Sequence, residues 1–230
     1  MKKQSELRIL LLQTRKNPVV RVEKHESFAR YSGLSPSQID LLNAFDTPDF
    51  PPEAAAGYDA LFVGGASEAS VLKAHEYPFV NNAQALLRHC LEQGMPVFAS
   101  CFGFQLAVLA LGGDILHDEA DFEMGTIPIE LTSAAALDPL LHDTPQVFLA
   151  VAVHRERALS APPGCQTLAV TTACCHAFRV PQKPFWAFQF HPEVDRATLV
   201  QRLTRYKDQY TDGDKQLARV LEAAAKTPES

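Results

Sequence analysis

The run PVFASCFGFQLAVLALGG, residues 96–113, constrains this fold more than any other part of the chain. Pro96 to Ala99 is a short apolar run, and Gly103 to Leu111 follows at once as a helical segment that is apolar on every side. A helix without a polar face has to be covered all round, at the centre of a molecule. A strand apolar at successive positions is likewise covered on both faces, as strands of parallel sheets are. Leu7 to Gln13 and Ala60 to Val63 are two more such runs. Between the latter and Pro96 lies Val80 to Gln93, with Ala83, Leu86, Leu87 and Leu91 at helical spacing and Gly94 as a stop. Strand, helix, strand is the βαβ unit, so the expected class is α/β, an open and mostly parallel or mixed sheet flanked by helices.

The second half reads differently. Thr126 to Leu131, Val147 to Val151, Gln166 to Val170 and Cys175 to Val180 are short strand-like pieces separated by Pro and Gly turns, which suggests a more antiparallel portion of the same sheet. Trp186 to Phe190 is one more strand. Asp195 to Tyr210 and Asp212 to Lys226 read as two closing helices, each with an Asp to cap it. Ile39 to Asn43 is a further strand before the Pro-rich loop Thr47 to Glu53. No repeat or linker interrupts the pattern, so residues 1–230 are expected to form a single domain.

Composition excludes several roles. With 47% apolar and 21% charged residues the chain has the balance of a globule, and a net charge of −6 without a basic stripe argues against a nucleic-acid partner. No apolar stretch approaches the roughly 20 residues of a membrane span, and the N-terminus has no cleavage site of the secretory kind. A cytoplasmic location with no membrane contact is the expectation. Five cysteines, an odd number with Cys174 and Cys175 adjacent, do not form a disulfide framework.

Attention therefore falls on single cysteines. Cys101 stands where the buried strand turns into the buried helix, the geometry of a nucleophile elbow, with the helix N-terminus favouring its thiolate. By itself a cysteine at a strand end is an ordinary small core residue. The segment FWAFQFHPEV supplies what a thiol nucleophile needs: His191 as a base and Glu193, two residues on in an extended segment stiffened by Pro192, as its orienter. In a parallel sheet the reactive edge is the carboxyl edge of every strand, so both segments can meet there although 90 residues separate Cys101 from His191. Gly64 and Gly65 end the strand Ala60 to Val63, and the amides of Gly65 and Phe102 are placed to form an oxyanion hole.

Together, Cys101, Gly103 and Gln105 at the elbow, the upstream Gly64 and Gly65, and the His191-x-Glu193 end resemble the class I, or triad, glutamine amidotransferase family, from about Leu7 to Val194. The likeness is strongest to the glutaminase part of GMP synthase and its free-standing relatives. It implies a flavodoxin-like α/β fold and hydrolysis of the glutamine amide through a γ-glutamyl thioester on Cys101, with His191 and Glu193 completing the triad. It further implies that Gly64, Gly65 and Gln105 hold the substrate, that Val153 and His154 line the pocket, and that no cofactor or metal takes part. The ammonia acceptor would then be a separate synthetase subunit, since the resemblance includes no synthetase domain. The substrate would be glutamine or another γ-glutamyl compound. A γ-glutamyl hydrolase with the same triad, or a silent regulatory subunit, are the alternatives.

The remaining polar residues carry less. Adjacent Cys174 and Cys175 with His176 lack the ligand spacing of a zinc site and read as packing residues. His25, His75, His89, His117 and His142 read as solvated. Asp118, Glu119, Asp121 and Glu123 read as a solvated acidic loop, with Glu123 and Gly125 matching the family's structural Glu-x-Gly.

Overall fold

The computed structural model describes residues 2–118, 122–195 and 198–200. Strands β1 (Ile9–Gln13), β2 (Ile39–Asn43), β3 (Ala60–Val63), β4 (Val97–Ser100), β5 (Leu116–His117) and β6 (Glu123–Leu131) come first in chain order. Strands β7 (Val147–His154), β8 (Glu156–Arg157), β9 (Gln166–Val170), β10 (Cys175–Arg179) and β11 (Phe185–Phe188) follow. Nine of them form one sheet in the order β2-β1-β3-β4-β11-β10-β9-β6-β7, while β5 and β8 pair separately. The first five in that order are parallel neighbours, and every pairing from β11 through β10, β9 and β6 to β7 is antiparallel. The sheet is mixed, with the parallel part built from the near-continuous apolar runs.

Helices α1 (Pro18–Ser32), α2 (Phe79–Glu92) and α3 (Phe102–Ala110) cover the parallel part. On one face Leu10, Leu12, Leu61, Val63 and Val97 pack with Leu86, Leu87, Phe104 and Leu106 of α2 and α3. On the other, Ile9, Leu11, Ile39 and Ala60 pack with Phe28 and Ala29 of α1. Successive residues of β1 and β3 thus point into different cores, which is why Ile9 to Leu12 and Ala60 to Val63 are apolar throughout. Among the described residues no helix is long and apolar enough to cross a membrane.

Helix α1 was not signalled by apolar spacing, because Lys24 and Ser27 lie on its buried face between Val20 and Phe28. Its ends obey local rules: the Asn17 side chain accepts from the Val19 N–H at 2.9 Å, Pro18 occupies the first turn, and Gly33 closes the helix at φ 66°.

The β6–β7 hairpin determines the shape of the cleft. β6 pairs with β7 over eight positions, from Glu123↔His154 to Glu130↔Val147, but with β9 only at Glu130 and Leu131. Its open end leaves the sheet and curls back, so that the His191 N–H donates to the Val151 carbonyl at 2.8 Å and Val151 packs with Val194 and Leu199. The expected strand Trp186 to Phe190 stops at Phe188. His191 to Glu193 form a turn rather than an extended segment, with the Val194 N–H donating to the His191 carbonyl at 3.3 Å. Asp195 caps the start of the next helical turn by accepting from the Thr198 N–H at 2.7 Å. The two expected closing helices otherwise lie outside the described residues.

Candidate active site

Cys101 directly follows β4 and precedes α3, at φ 54° and ψ −105°. That backbone conformation is disfavoured for a residue with a Cβ and is the mark of a strained elbow. Two backbone bonds hold it: the Cys101 N–H donates to the Phe188 carbonyl at 2.8 Å, and the Gln105 N–H donates to the Cys101 carbonyl at 3.1 Å, opening the helix. Gly103 permits the close seat of α3, since a Cβ there would lie 2.5 Å from the Val63 carbonyl oxygen.

The three predicted segments meet at one point. A Cβ on Gly65 would lie 2.8 Å from His191 Cε1 and 3.5 Å from Cys101 Sγ, so the imidazole and the sulfur both crowd the glycine backbone. His191 Nδ1 bonds Glu193 Oε1 at 2.8 Å, and both side chains are buried. The turn at Pro192 accomplishes what an extended segment was expected to do, bringing the carboxylate onto the ring. Of the two glycines only Gly65 faces Cys101. The Gly64 N–H donates to Leu12, and a Cβ there would meet the Phe28 ring at 3.3 Å.

Above Cys101 opens a cleft of about 220 Å³, walled by Phe102, Gln105, Val153, His154, Arg155 and Glu156. That is below the roughly 300–1,000 Å³ of drug-sized sites and matches an amino-acid-sized ligand. Cys101 Sγ lies 3.9 Å from the Val153 carbonyl oxygen, and Gln105 Nε2 donates to the Glu156 carbonyl at 2.8 Å. The curled hairpin is therefore the far wall of the site.

Lys24 was not anticipated as part of it. From α1 its Nζ reaches Glu193 Oε1 at 3.1 Å across 169 residues of sequence, and lysine and carboxylate are each only 2% exposed. Ser27 Oγ donates to the Glu193 backbone carbonyl. The one available signal was a lysine and a serine at helical spacing from Val20 and Phe28, polar residues placed where a core face continues.

The thiolate expected from the helix N-terminus is opposed by burial. Burial pushes the Cys101 thiol up to about 11, with Lys24 pulling it down and Glu193 pushing it up. Desolvation, for a residue only 5% exposed, is the largest of these effects.

Elsewhere the structure redraws the sequence reading. Glu123 is not a solvated loop residue: its Oε2 lies 2.8 Å from His176 Nε2 and 3.0 Å from His154 Nε2. Burial acts to raise its pKa, but the two imidazoles overcome it and hold the carboxyl below the usual range. Asp118 pairs with Arg157 at 2.8 Å, while Glu119 and Asp121 lie outside the described residues. Cys174 and Cys175 are both buried, as packing would require, but face different ways: Cys174 Sγ meets Glu123 and Cys175 Sγ the Ala177 carbonyl. His75, His117 and His142 are exposed, whereas His89 is half-buried and His25 is half-buried against the Ile39 carbonyl.

Comparison with known proteins places this geometry in a family. GMP synthase [glutamine-hydrolyzing] of Psychromonas ingrahamii is 32% identical over 119 residues, 49% of this chain and 23% of that protein. The chain thus spans about a quarter of the length of the GMP synthases it matches. A Gamma-glutamyl-L-1-hydroxyisopropylamide hydrolase of a Pseudomonas species is 26% identical over 195 residues, 73% of this chain and 63% of that protein. In fold, a glutamine amidotransferase from Thermotoga maritima superposes with a TM-score of 0.74 at 19% identity, covering 95% of this chain and 90% of its own. The family model described as Glutamine amidotransferase class-I matches residues 40–206, most of the chain, and this protein belongs to that family.

Proposed function

We propose that this protein hydrolyses the side-chain amide of glutamine, or of a related γ-glutamyl amide, with Cys101 as nucleophile. The observation that carries the reading is the meeting of a strained cysteine elbow and a buried His191–Glu193 pair around the backbone of Gly65. On substrate binding His191 takes the thiol proton as the sulfur attacks the γ-carbonyl carbon. The amides of Gly65 and Phe102 hold the oxyanion, a contribution of about 3 kcal/mol per donor in comparable sites. His191 then protonates the departing amine, and the thioester that remains is hydrolysed by water activated by the same imidazole, returning the thiol and releasing glutamate.

Glu193 orients His191, and Lys24 acts as a positioning residue that balances the buried carboxylate and draws the sulfur toward ionisation. Arg155 and Glu156 bring opposite charges to the cleft, which suits the zwitterionic end of an amino acid. Ammonia delivery to a separate synthetase subunit is the reading that GMP synthase suggests. Hydrolysis of a γ-glutamyl amide without a partner is favoured by the match to the Pseudomonas hydrolase, which extends over more of both chains.

Ammonia release from glutamine is to be measured beside amine release from γ-glutamyl alkylamides, with Cys101→Ala as control. Faster turnover of the alkylamides selects the stand-alone hydrolase. Equal activity of the control, or failure of a glutamine-like electrophile to label Cys101, rejects the reading in favour of a silent subunit.

A further inference from the structure

A second group of reactive side chains converges where the open end of the β6–β7 hairpin meets the turn into β10. Glu123, His154, Cys174 and His176 each offer one ligand atom, and the four atoms lie within 4.8 Å of one another. His176 Nε2 is hydrogen-bonded to Glu123 Oε2 at 2.8 Å, His154 Nε2 lies 3.0 Å from the same oxygen, and Cys174 Sγ approaches it at 3.3 Å. The histidine side chains are 1% and 0% exposed and that of Glu123 15%.

We propose that Glu123, His154, Cys174 and His176 form a structural binding site for a divalent transition metal, with zinc the best match. Imidazole, thiolate and carboxylate are the ligand types zinc takes, and four protein ligands leave no open position, as in its structural sites. Zn–N, Zn–S and Zn–O bonds of about 2.0–2.3 Å span a tetrahedron with edges near 3.3–3.7 Å. The separations of 2.8, 3.0 and 3.3 Å from Glu123 Oε2 are those of a metal-free polar cluster; to admit the ion these would open by several tenths of an ångström, while pairs lying toward the 4.8 Å bound would close. One cysteinate and one carboxylate together neutralise a divalent charge, which a buried site needs.

The backbone prepares the arrangement. Glu123 and His154 are register partners across the hairpin. Cys174, in the bend just before β10, and His176, within it, bring their ligand atoms to one point, while Cys175 Sγ turns to the Ala177 carbonyl. A turn fixes Cys174: its N–H donates to Thr171 Oγ1 at 3.3 Å and its carbonyl accepts from the Thr171 N–H at 3.0 Å. Adjacent cysteines gave no zinc spacing in the sequence because only one of them contributes, and two of its three partners come from the distant strands β6 and β7. A metal here would tie the curled hairpin to β10 directly behind His154, the residue that walls the cleft. The inference stands apart from the γ-glutamyl reading.

The test uses the full chain, purified without a histidine tag after growth with added zinc. Elemental analysis should find one equivalent of zinc per chain. Co(II) added to the chelator-treated protein should give the intense visible bands of a tetrahedral site with a thiolate-to-metal charge-transfer band. Cys174→Ser should remove that charge-transfer band, His176→Gln should weaken Co(II) binding at least tenfold, and chelation should lower the melting temperature of the unaltered protein. Cys101→Ala should leave the spectrum unchanged. Absence of stoichiometric metal together with a featureless Co(II) titration of the unaltered chain overturns the proposal. So does a charge-transfer band that survives Cys174→Ser and disappears in Cys101→Ala, which would put the ion at the other cysteine.

Discussion

The parallel and antiparallel parts of the sheet differ in how they treat polar groups. In the parallel part β1, β3 and β4 send aliphatic and aromatic side chains into the cores, and the proposed catalytic groups lie beyond the strand ends: Gly65, Cys101 and His191 stand just past β3, β4 and β11. In the antiparallel part polar groups enter the interior, where Glu123, His154, Cys174 and His176 gather at the end of a hairpin that has left the sheet. The difference teaches a division of labour. On the proposed reading the parallel sheet fixes the reacting atoms at its strand ends, while the hairpin, in which β6 pairs with β9 at only two positions, is tied in by side chains.

The most severe way to probe the parallel rim is Cys101→Ala, expected to lower amide hydrolysis by at least about 10³-fold while leaving the circular dichroism spectrum intact, since triad members act as a unit. Retained turnover would move the nucleophile elsewhere. Next in size, Gly65→Ala forces a methyl to 2.8 Å from His191 Cε1 and is expected to reduce kcat/KM by about 10²-fold, the scale for displacing a reacting group by an ångström. Gly64→Ala meets only the Phe28 ring at 3.3 Å and should keep most of the activity; equal losses from the two would show that the rim does not distinguish them.

A smaller effect is expected where α1 reaches the rim. Lys24→Met leaves Glu193 without its buried ammonium partner, a change that costs on the order of 3 kcal/mol in comparable pairs and is measurable by urea denaturation. Because Lys24 also draws the Cys101 thiol toward ionisation, iodoacetamide alkylation of Cys101 at neutral pH should slow by about tenfold. Unchanged alkylation would assign Lys24 to packing alone.

The mildest effect compares the two parts through their buried thiols. Burial pushes Cys90 in α2 and Cys175 in β10 up to about 12. From pH 9 upward the unfolded thiols ionise before the folded ones, so the unfolded state binds fewer protons and stability falls as pH rises toward 12. Below pH 9 the contribution is fully present. Cys90→Ala and Cys175→Ala should each flatten the alkaline decline of the melting temperature by a similar small amount, and a decline flattened by only one of them would show that the two parts unfold separately.

Much of the architecture was legible from short-range pattern. The strands Ala60–Val63, Ile39–Asn43 and Gln166–Val170 and the helices α2 and α3 sit within a residue or so of where the sequence placed them, and Ala60–Val63 was plainest because near-complete burial leaves it without a polar residue. Gly65, Cys101, His191 and Glu193 were readable for a related reason: each stands at the end of such a run, and strand ends on one edge of a parallel sheet converge. Helix α1 was not, because the residues that should have marked its buried face include Lys24 and Ser27, polar groups that only Glu193 satisfies.

By itself, then, the order of residues determined the mixed α/β class, the elbow at Cys101 and the pairing of an imidazole with a carboxylate two residues later. Tertiary structure alone decided that Lys24 joins that pair across 169 residues, that the β6–β7 hairpin curls back to wall the cleft, and that Cys174 parts company with Cys175 to meet Glu123, His154 and His176. The reason is physical. Periodicity and turn chemistry act over a few residues and are written locally, whereas the burial of a charge depends on a partner that only the folded chain brings within 3 to 4 Å.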